Sequence, residues 1–393
     1  MPASMTTVDG ILKEVYGPRI VNQLQNETLV LKRIEKSKEG ITETAGGKYV
    51  NFPLKVSRNS GIGYRNESEA LPLSGQQGYA EVIVPLRYGY GRARITGQAM
   101  DLAETNYQAF ASALDSEMDG LKDDIAKDSN RVAYNDASGL MASITDTAVS
   151  TIHTVDNAQY LEVGMFVDVL VRSNGGTVVL NTTITDINGL SVTFATSFTG
   201  TVLQGVYRQG NYGREPSGLG SIVDDTSTLH GLAPASQRKW AATILANGGT
   251  PRALSEALMI QTCDGIRTKS GKKPSVIFNN LGVRRAYFNL LTQQRRYTDT
   301  KEYAGGFQGL PFNYGTEIPV VEDVDARPNR MTFVTEDALT VYRTKPWSWM
   351  DKDNSIFKWV NGFDAWEALL KQYWELGTNQ RNAHGELRDL IEG

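Results

Sequence analysis

SGIGYRNESEALPLSGQQGY, residues 60–79, carries four glycines, mixed charges and a thin scatter of apolar side chains, too few to hold a core. Its flanks read differently. In GKYVNFPLKVSR before it, Val50, Phe52, Leu54 and Val56 alternate with Tyr49, Asn51, Pro53 and Lys55. In YAEVIVPLRYGYG after it, the alternating set is Ala80, Val82, Val84, Leu86 and Tyr88. A period of two marks half-buried strands. One proline in each, Pro53 and Pro85, suits an exposed two-stranded ribbon rather than the middle of a wide sheet. Ten residues per strand reach ~30 Å. An isolated hairpin is marginal in water, and a structureless loop of ~20 residues exceeds the usual ~12–15. The arm is therefore expected to gain its order on another molecule. Ile62, Tyr64, Arg65, Glu67, Glu69, Leu71, Leu73 and Tyr79 are its contact residues, and Gly61, Gly63, Gly75 and Gly78 let the tip adjust.

The whole chain has 393 residues, 40% hydrophobic and 21% charged, with a formal charge of −4. This is ordinary soluble globular composition, long enough for two or three domains. A near-neutral balance supplies no basic field for gripping nucleic acid. The single cysteine, Cys263, excludes a disulfide framework within one chain and suits a reducing compartment. The opening MPASMTTVDGILKEVYG lacks the layout of a signal peptide, and no apolar run reaches the ~18 residues of a membrane span.

Along the chain, an amphipathic helix is expected near residues 8–24, followed by a charged stretch. Residues 97–135 form the clearest helix: Ala103, Tyr107, Phe110, Leu114, Met118, Leu121, Ile125 and Val132 follow three-and-four spacing, with Asp115, Asp119, Lys122, Asp123 and Lys127 opposite. Its narrow stripe fits either a coiled-coil seam or, as favoured here, one long helix lying on a sheet. Composition then shifts. No lysine occurs between Lys127 and Lys239, and residues 146–212 read as short strands with turns at Asn174-Gly175-Gly176 and Asn188-Gly189. This is a small all-β module, a barrel or a sandwich. From about Gly218 the pattern is mixed. Thr250-Pro251 is read as an N-cap with proline at the first helical position, and Leu254, Leu258 and Ile266 continue that helix. SVIFNN is a strand and GVRRAYFNLLTQQRRY a helix; IPVVEDV and MTFVTEDALTVYRT are strands, and a long strand is expected over 368–378.

The chemistry of a catalyst is missing. His153, His230 and His384 are scattered without ligand spacing and are read as surface or turn histidines. GIRTKSGKK falls short of a phosphate loop, because five residues rather than four separate Gly265 from Gly271 and Lys273 stands where a hydroxyl must bind magnesium. It reads as a solvated turn at a helix C-terminus. Asp123-Asp124 and Asp224-Asp225 read as solvation on a helix face and in a loop. Trp347, Trp349, Phe357, Trp359, Phe363 and Trp366 could form a sugar platform, but core or interface packing is preferred. No enzyme, cofactor or metal site is expected.

The order of these parts, with the stretch GGFQGLPFNYGTEIPVVEDVDARPNRMTFVTEDALTVYR and the upstream GLGSIVDDTSTLHGLAP and KKPSVIFNNLGVRRAYFNLL, resembles the major capsid proteins of tailed bacteriophages. The resemblance implies an α+β, Hong Kong 97-type fold: an N-terminal arm (1–45), an extended hairpin loop (46–96), a spine helix and peripheral domain (97–145), an inserted β domain (146–212), an axial α/β domain (213–360) and a C-terminal return (361–393). It further implies a homo-oligomer of hexamers and pentamers in the virion capsid, assembled in the host cytoplasm around double-stranded DNA that is not bound specifically. A portal and a decoration protein are the partners such a shell can take. Because the arm begins almost at Met1, a separate scaffolding protein is implied. Lys48 and Lys55 lie on the hairpin arm, where some family members cross-link, but they are read as ordinary surface lysines.

Three rivals remain. An encapsulin-like compartment shares the fold; the β module could be a carbohydrate or receptor binder; a hydrolase reading of the C-terminal half lacks a G-x-S-x-G elbow.

Overall fold

The structure, a computed structural model, describes residues 29–35, 41–43, 49–98, 107–293, 301–303, 307–344, 346–351 and 356–393. The helix expected near 8–24, residues 99–106 of the long helix and Lys48 lie outside them. In chain order, α1 (Leu29–Glu35) and β1 (Ile41–Glu43) lead to the ribbon strands β2 (Tyr49–Lys55) and β3 (Tyr79–Pro85), then β4 (Arg87–Thr96) and α2 (Tyr107–Tyr134). Six strands follow: β5 (Leu140–Ser143), β6 (Val149–Thr154), β7 (Phe166–Val171), β8 (Thr177–Asn188), β9 (Ser191–Thr199) and β10 (Gln204–Arg208). Next come β11 (Thr243–Leu245), α3 (Glu256–Ser270), β12 (Val276–Asn279), α4 (Leu281–Gln293), β13 (Lys301–Tyr303), β14 (Phe307–Asn313) and β15 (Glu317–Glu322). The chain ends with β16 (Met331–Val334), β17 (Leu339–Arg343), β18 (Ser348–Trp349), β19 (Phe357–Trp359), β20 (Ala365–Thr378) and β21 (Gly385–Leu387).

β20 is the axis of the first sheet. β4 runs antiparallel along one edge from Arg87↔Trp374 to Thr96↔Ala365. Along the other edge β17, β18 and β19 succeed one another, and β1 adds in parallel outside β17. α2 lies on this sheet. A Cβ on Gly91 would stand 2.2 Å from Ile125 Cδ1 and 3.4 Å from Leu121 Cδ1, so the glycine lets helix and strand meet. At Leu121 and Ile125 the apolar stripe is therefore a sheet contact and not a coiled-coil seam. Near its end α2 is pinned by Lys127 Nζ and Asn130 Nδ2, which donate to Asp325 at 2.9 and 2.7 Å.

The second sheet has seven strands in the order β11-β21-β16-β12-β15-β14-β13, and buries Met259, Ile266, Ile277, Val283, Phe312, Phe333 and Leu387 with α3 and α4. Its strand β16 and the first-sheet strand β17 divide the MTFVTEDALTVYRT pattern between two sheets, with a 3₁₀ turn at Glu336–Ala338 between them. The N-cap of α3 is not Thr250. Residue 252 is held extended by the C-terminus, Arg252 N donating to Asp389 O at 2.7 Å and Ile391 N to Arg252 O at 2.9 Å. The helix starts after Ser255, whose hydroxyl accepts from Leu258 N, and it stops at Gly271, left-handed with φ 76°. The GIRTKSGKK stretch is thus a helix C-terminus and its turn.

Residues 140–208 make a third sheet in the order β5-β10-β7-β8-β9-β6. The bridge Ile144↔Val155 and the bond from Thr145 N to Thr154 O, 2.9 Å, join its two ends and close a barrel. Ile144, Val155, Val167, Val169, Ile184, Val192, Phe194 and Val206 fill it. Gly175 and Gly189, with φ 69° and 61°, turn the hairpins as the Asn-Gly signals predict. Gly213 N donates to Ser138 O at 2.8 Å, so the barrel's entry and exit lie side by side.

All three histidines are buried rather than on the surface, although His230 does sit in a turn, with φ 50°. His153 Nδ1 lies 2.9 Å from Asp146 Oδ1 and its ring stacks on Phe198; His384 lies between Thr335 N and Thr378 Oγ1, at 3.3 and 3.2 Å. Burial pushes His384 down to about 3 and, with Arg381 nearby, His230 to about 4, so both are neutral packing groups. Asp224 is structural rather than solvating: it accepts from Ser227 N at 2.8 Å and pairs with Arg388 at 3.3 Å.

Candidate assembly interface

The ribbon pairs from Tyr49↔Pro85 to Lys55↔Tyr79, with Tyr49, Asn51, Pro53 and Lys55 exposed on one side as the alternation requires. Its root does not depend on another molecule. Val82 and Val84 are fully buried, packed in one core with Val30, Ile34, Val132, Trp240 and Leu376, and Ile83 N donates to His230 O at 3.0 Å. YAEVIVPLRYGYG is also two strands. The chain breaks at Leu86, leaves the ribbon and continues as β4 beside β20.

Beyond the root the tip stands away from the core, yet it is organised. Val56 N donates to Gly78 O at 2.9 Å and Gly78 N to Ser57 Oγ at 2.6 Å. A Cβ on Gly61 would lie 2.8 Å from Gly75 N, and one on Gly75 would lie 2.7 Å from Ser60 N. Neither glycine has positive φ. They are needed because the two backbones approach closely. At the far end Arg65 Nε donates to Ala70 O at 2.9 Å, Asn66 N and Nδ2 donate to Glu69 at 3.0 and 2.9 Å, and Ser68 takes φ 67°. These bonds from Asn66 hold the Glu69 carboxyl below its usual range. Arg65 and Glu69 therefore close the knob itself.

Ile62 (84%), Tyr64 (99%), Leu71 (84%) and Leu73 (91%) point into solvent, and Tyr79 and Glu67 are exposed as well. Large apolar side chains held outward on a bonded backbone form a surface suited to docking, not a core that failed to form.

A second exposed surface lies at the ribbon's root and was not singled out from sequence. In RYGYGRARIT, Gly89, Gly91 and Ala93 face α2 and Trp347, while Tyr88, Tyr90, Arg92 and Arg94 face outward. Tyr373 and Lys371 of β20 share that outer face. Tyr373 meets Tyr88 edge-on at 4.9 Å, and Lys371 Nζ lies 5.9 Å from its ring. Arg92 pairs with Glu367 at 3.0 Å and Arg94 stacks over Phe363 at 4.6 Å. The strict small/large alternation of 88–94 is the signal that could have revealed it. Of the C-terminal aromatics, Trp347, Trp349, Phe357 and Trp366 are half-buried on this sheet, whereas Trp359 and Phe363 are exposed.

Among the described residues no group of three or more His, Cys, Asp or Glu side chains stands together to hold a metal. Cys263 is buried and its thiol is pushed up to about 12 by burial. No described helix is long and apolar enough to cross a membrane.

No protein-family model matches the sequence, and a search of curated proteins finds no match. The similarity is in the fold. A chain of the cyanophage A-1(L) capsid asymmetric unit superposes with a TM-score of 0.59 at 16% identity, covering 99% of each chain. The capsid of a native GTA particle gives 0.53 at 10% identity, again over 99% of both. The holo-SrpI encapsulin complex from Synechococcus elongatus gives 0.51 at 9% identity, over 100% of this chain and 96% of that one. This chain has the mixed α and β fold of phage capsid proteins, a fold that the encapsulin shares.

Proposed function

We propose that the chain is the major capsid protein of a tailed bacteriophage, assembling as hexamers and pentamers into an icosahedral head shell around double-stranded DNA. In this reading the ribbon is the extended loop of a Hong Kong 97-type subunit, α2 its spine helix, the β20 sheet its peripheral domain and the seven-stranded sheet its axial domain. The barrel is an insertion between them. The tip residues Ile62, Tyr64, Arg65, Glu67, Glu69, Leu71, Leu73 and Tyr79 contact the next subunit. Scaffolding, portal and decoration proteins would be separate chains, and the virion is the site of action.

The observation that carries the reading is the bonded tip with its outward apolar groups, in a chain whose fold matches capsid chains end to end. Obligate assemblies commonly bury ~2,000–5,000 Å² per interface, ample to cover such a knob. Electron microscopy of the purified chain tests it. Shells are expected from the intact chain, and none from a chain lacking residues 60–78; normal shells from that deletion would overturn the proposal.

The encapsulin likeness supports a second reading, a cellular compartment with the same shell. Contents separate the two: particles isolated from their natural source hold DNA in the first case and a protein cargo in the second.

A further inference from the structure

At the ribbon's root a cleft of about 630 Å³ is lined by Ile83, Pro85 and Arg87 of the ribbon and its continuation and by Arg327, Arg330 and Arg388 of the body. Behind the latter three sits Glu386, buried, contacted at 3.1 Å by Arg327, 3.2 Å by Arg330 and 2.5 Å by Arg388. One carboxylate thus serves three guanidiniums. Arg388 also reaches Asp224 at 3.3 Å. Arg87 approaches Glu375 only to 3.9 Å, too far for a hydrogen bond, and burial pushes that acid up to about 8, leaving it largely protonated near neutral pH. Beneath the same wall Arg381 donates to the carbonyls of Ser221, Ile222 and Ser227.

Four guanidiniums, Arg87, Arg327, Arg330 and Arg388, therefore line this space against two carboxylates of its wall, Asp136 and Asp224, with Glu386 behind. Burial, then the charge of Arg327, pulls Arg330 down, whereas against burial Glu386 and Asp224 hold Arg388 up. Ser217, Ser227 and Thr228 add polar groups to the lining, and Leu229 with Ile83 an apolar wall. The volume suits a ligand larger than a bare ion.

We infer that this cleft binds a small phosphate-bearing anion, which bridges Arg87 at the ribbon's root to Arg330 and Arg327 in the body. Guanidinium groups meet phosphate oxygens in paired, charge-assisted bonds, and an anion held from both sides fixes the angle at which the ribbon leaves the body. The site follows from the cleft alone and stands whether or not the chain builds a shell.

Calorimetric titration of the purified full chain with pyrophosphate, and separately with inorganic phosphate, tests it. Saturable one-site binding of pyrophosphate is expected, weakened at least ~10-fold by Arg330→Gln and by Arg87→Gln, and unchanged by Arg58→Gln in the exposed tip. Arg87→Gln guards against misfolding, because this side chain makes no close hydrogen bond to lose; an unchanged melting temperature confirms it. No saturable binding, or both cleft variants within ~2-fold of wild type, would overturn the inference. Loss in Arg330→Gln alone would overturn the bridge to the ribbon.

Discussion

Replacing Leu71 and Leu73 together by serine separates folding from assembly. Both side chains are almost wholly exposed in the single chain, so the substitution removes no internal contact and should leave the melting temperature unchanged. On a neighbour they would be covered. Burying a leucine contributes about 2 kcal/mol, so the pair contributes about 4 kcal/mol to one tip contact. In a closed shell each subunit gives one tip and receives one, so the full amount applies per subunit. At 1.4 kcal/mol per decade this is a rise of roughly 10³ in the concentration needed for assembly. Light scattering on a dilution series reads that threshold, and thermal unfolding of the unassembled chain reads stability. A threshold within ~3-fold of wild type would refute the docking role of the tip. A clear fall in melting temperature at low concentration would show that the two leucines pack against their own body.

Val84→Ala is the counterpart at the ribbon's root, where the side chain is fully buried in the core with Val132 and Leu376; it should cost about 2 kcal/mol in urea unfolding even in the monomer. Gly218→Ala should be worse. Its Cβ would fall 2.3 Å from Val132 O and 2.5 Å from Asn135 O, carbonyls at the end of α2 that cannot swing aside, so a loss of about 3 kcal/mol or failure to fold is expected. Glu375, buried and pushed up to about 8, is a raised acid: the stability tied to its neutral form is complete below its ordinary value near 4.5 and is lost as pH rises through 8. Glu375→Gln should therefore unfold at increasingly higher urea than wild type between pH 5 and 9, whereas a constant difference would refute the assignment. Residues 139–212 expressed alone should give a cooperative unfolding transition, because the barrel closes on its own core and its two ends already meet; a broad, non-cooperative melt would argue against autonomy.

The ribbon strands, the long helix, the barrel hairpins and the strand expected over 368–378, which begins three residues earlier at Ala365, were legible because each carries a local signal. Val82 and Val84 alternate with Glu81 and Ile83, and Asn188-Gly189 marks a turn. Where partners distant in sequence decide, local pattern misled. Thr250-Pro251 looks like a helix start, but the C-terminal residues 389–391 hold that segment extended and shift the cap to Ser255. His153, His230 and His384 show no periodic apolar context in sequence, yet all are buried, His153 stacked on Phe198 and His384 bonded by Thr335 N, partners 45 and 49 residues away. YAEVIVPLRYGYG reads as one strand because its alternation never lapses; only the ten-residue pairing of β4 with β20 splits it at Leu86.

By itself the amino-acid order determined that a strand pair would project with a tip too polar to fold inward, since periodicity and composition act within a few residues. Tertiary structure alone decided where that ribbon stops belonging to its own body, with Val82 and Val84 inside the core and Leu71 and Leu73 outside it. It also decided that the arginines of residues 87, 327, 330 and 388 meet around one cleft. Burial and charge depend on which surfaces come together in space, and no local pattern encodes that.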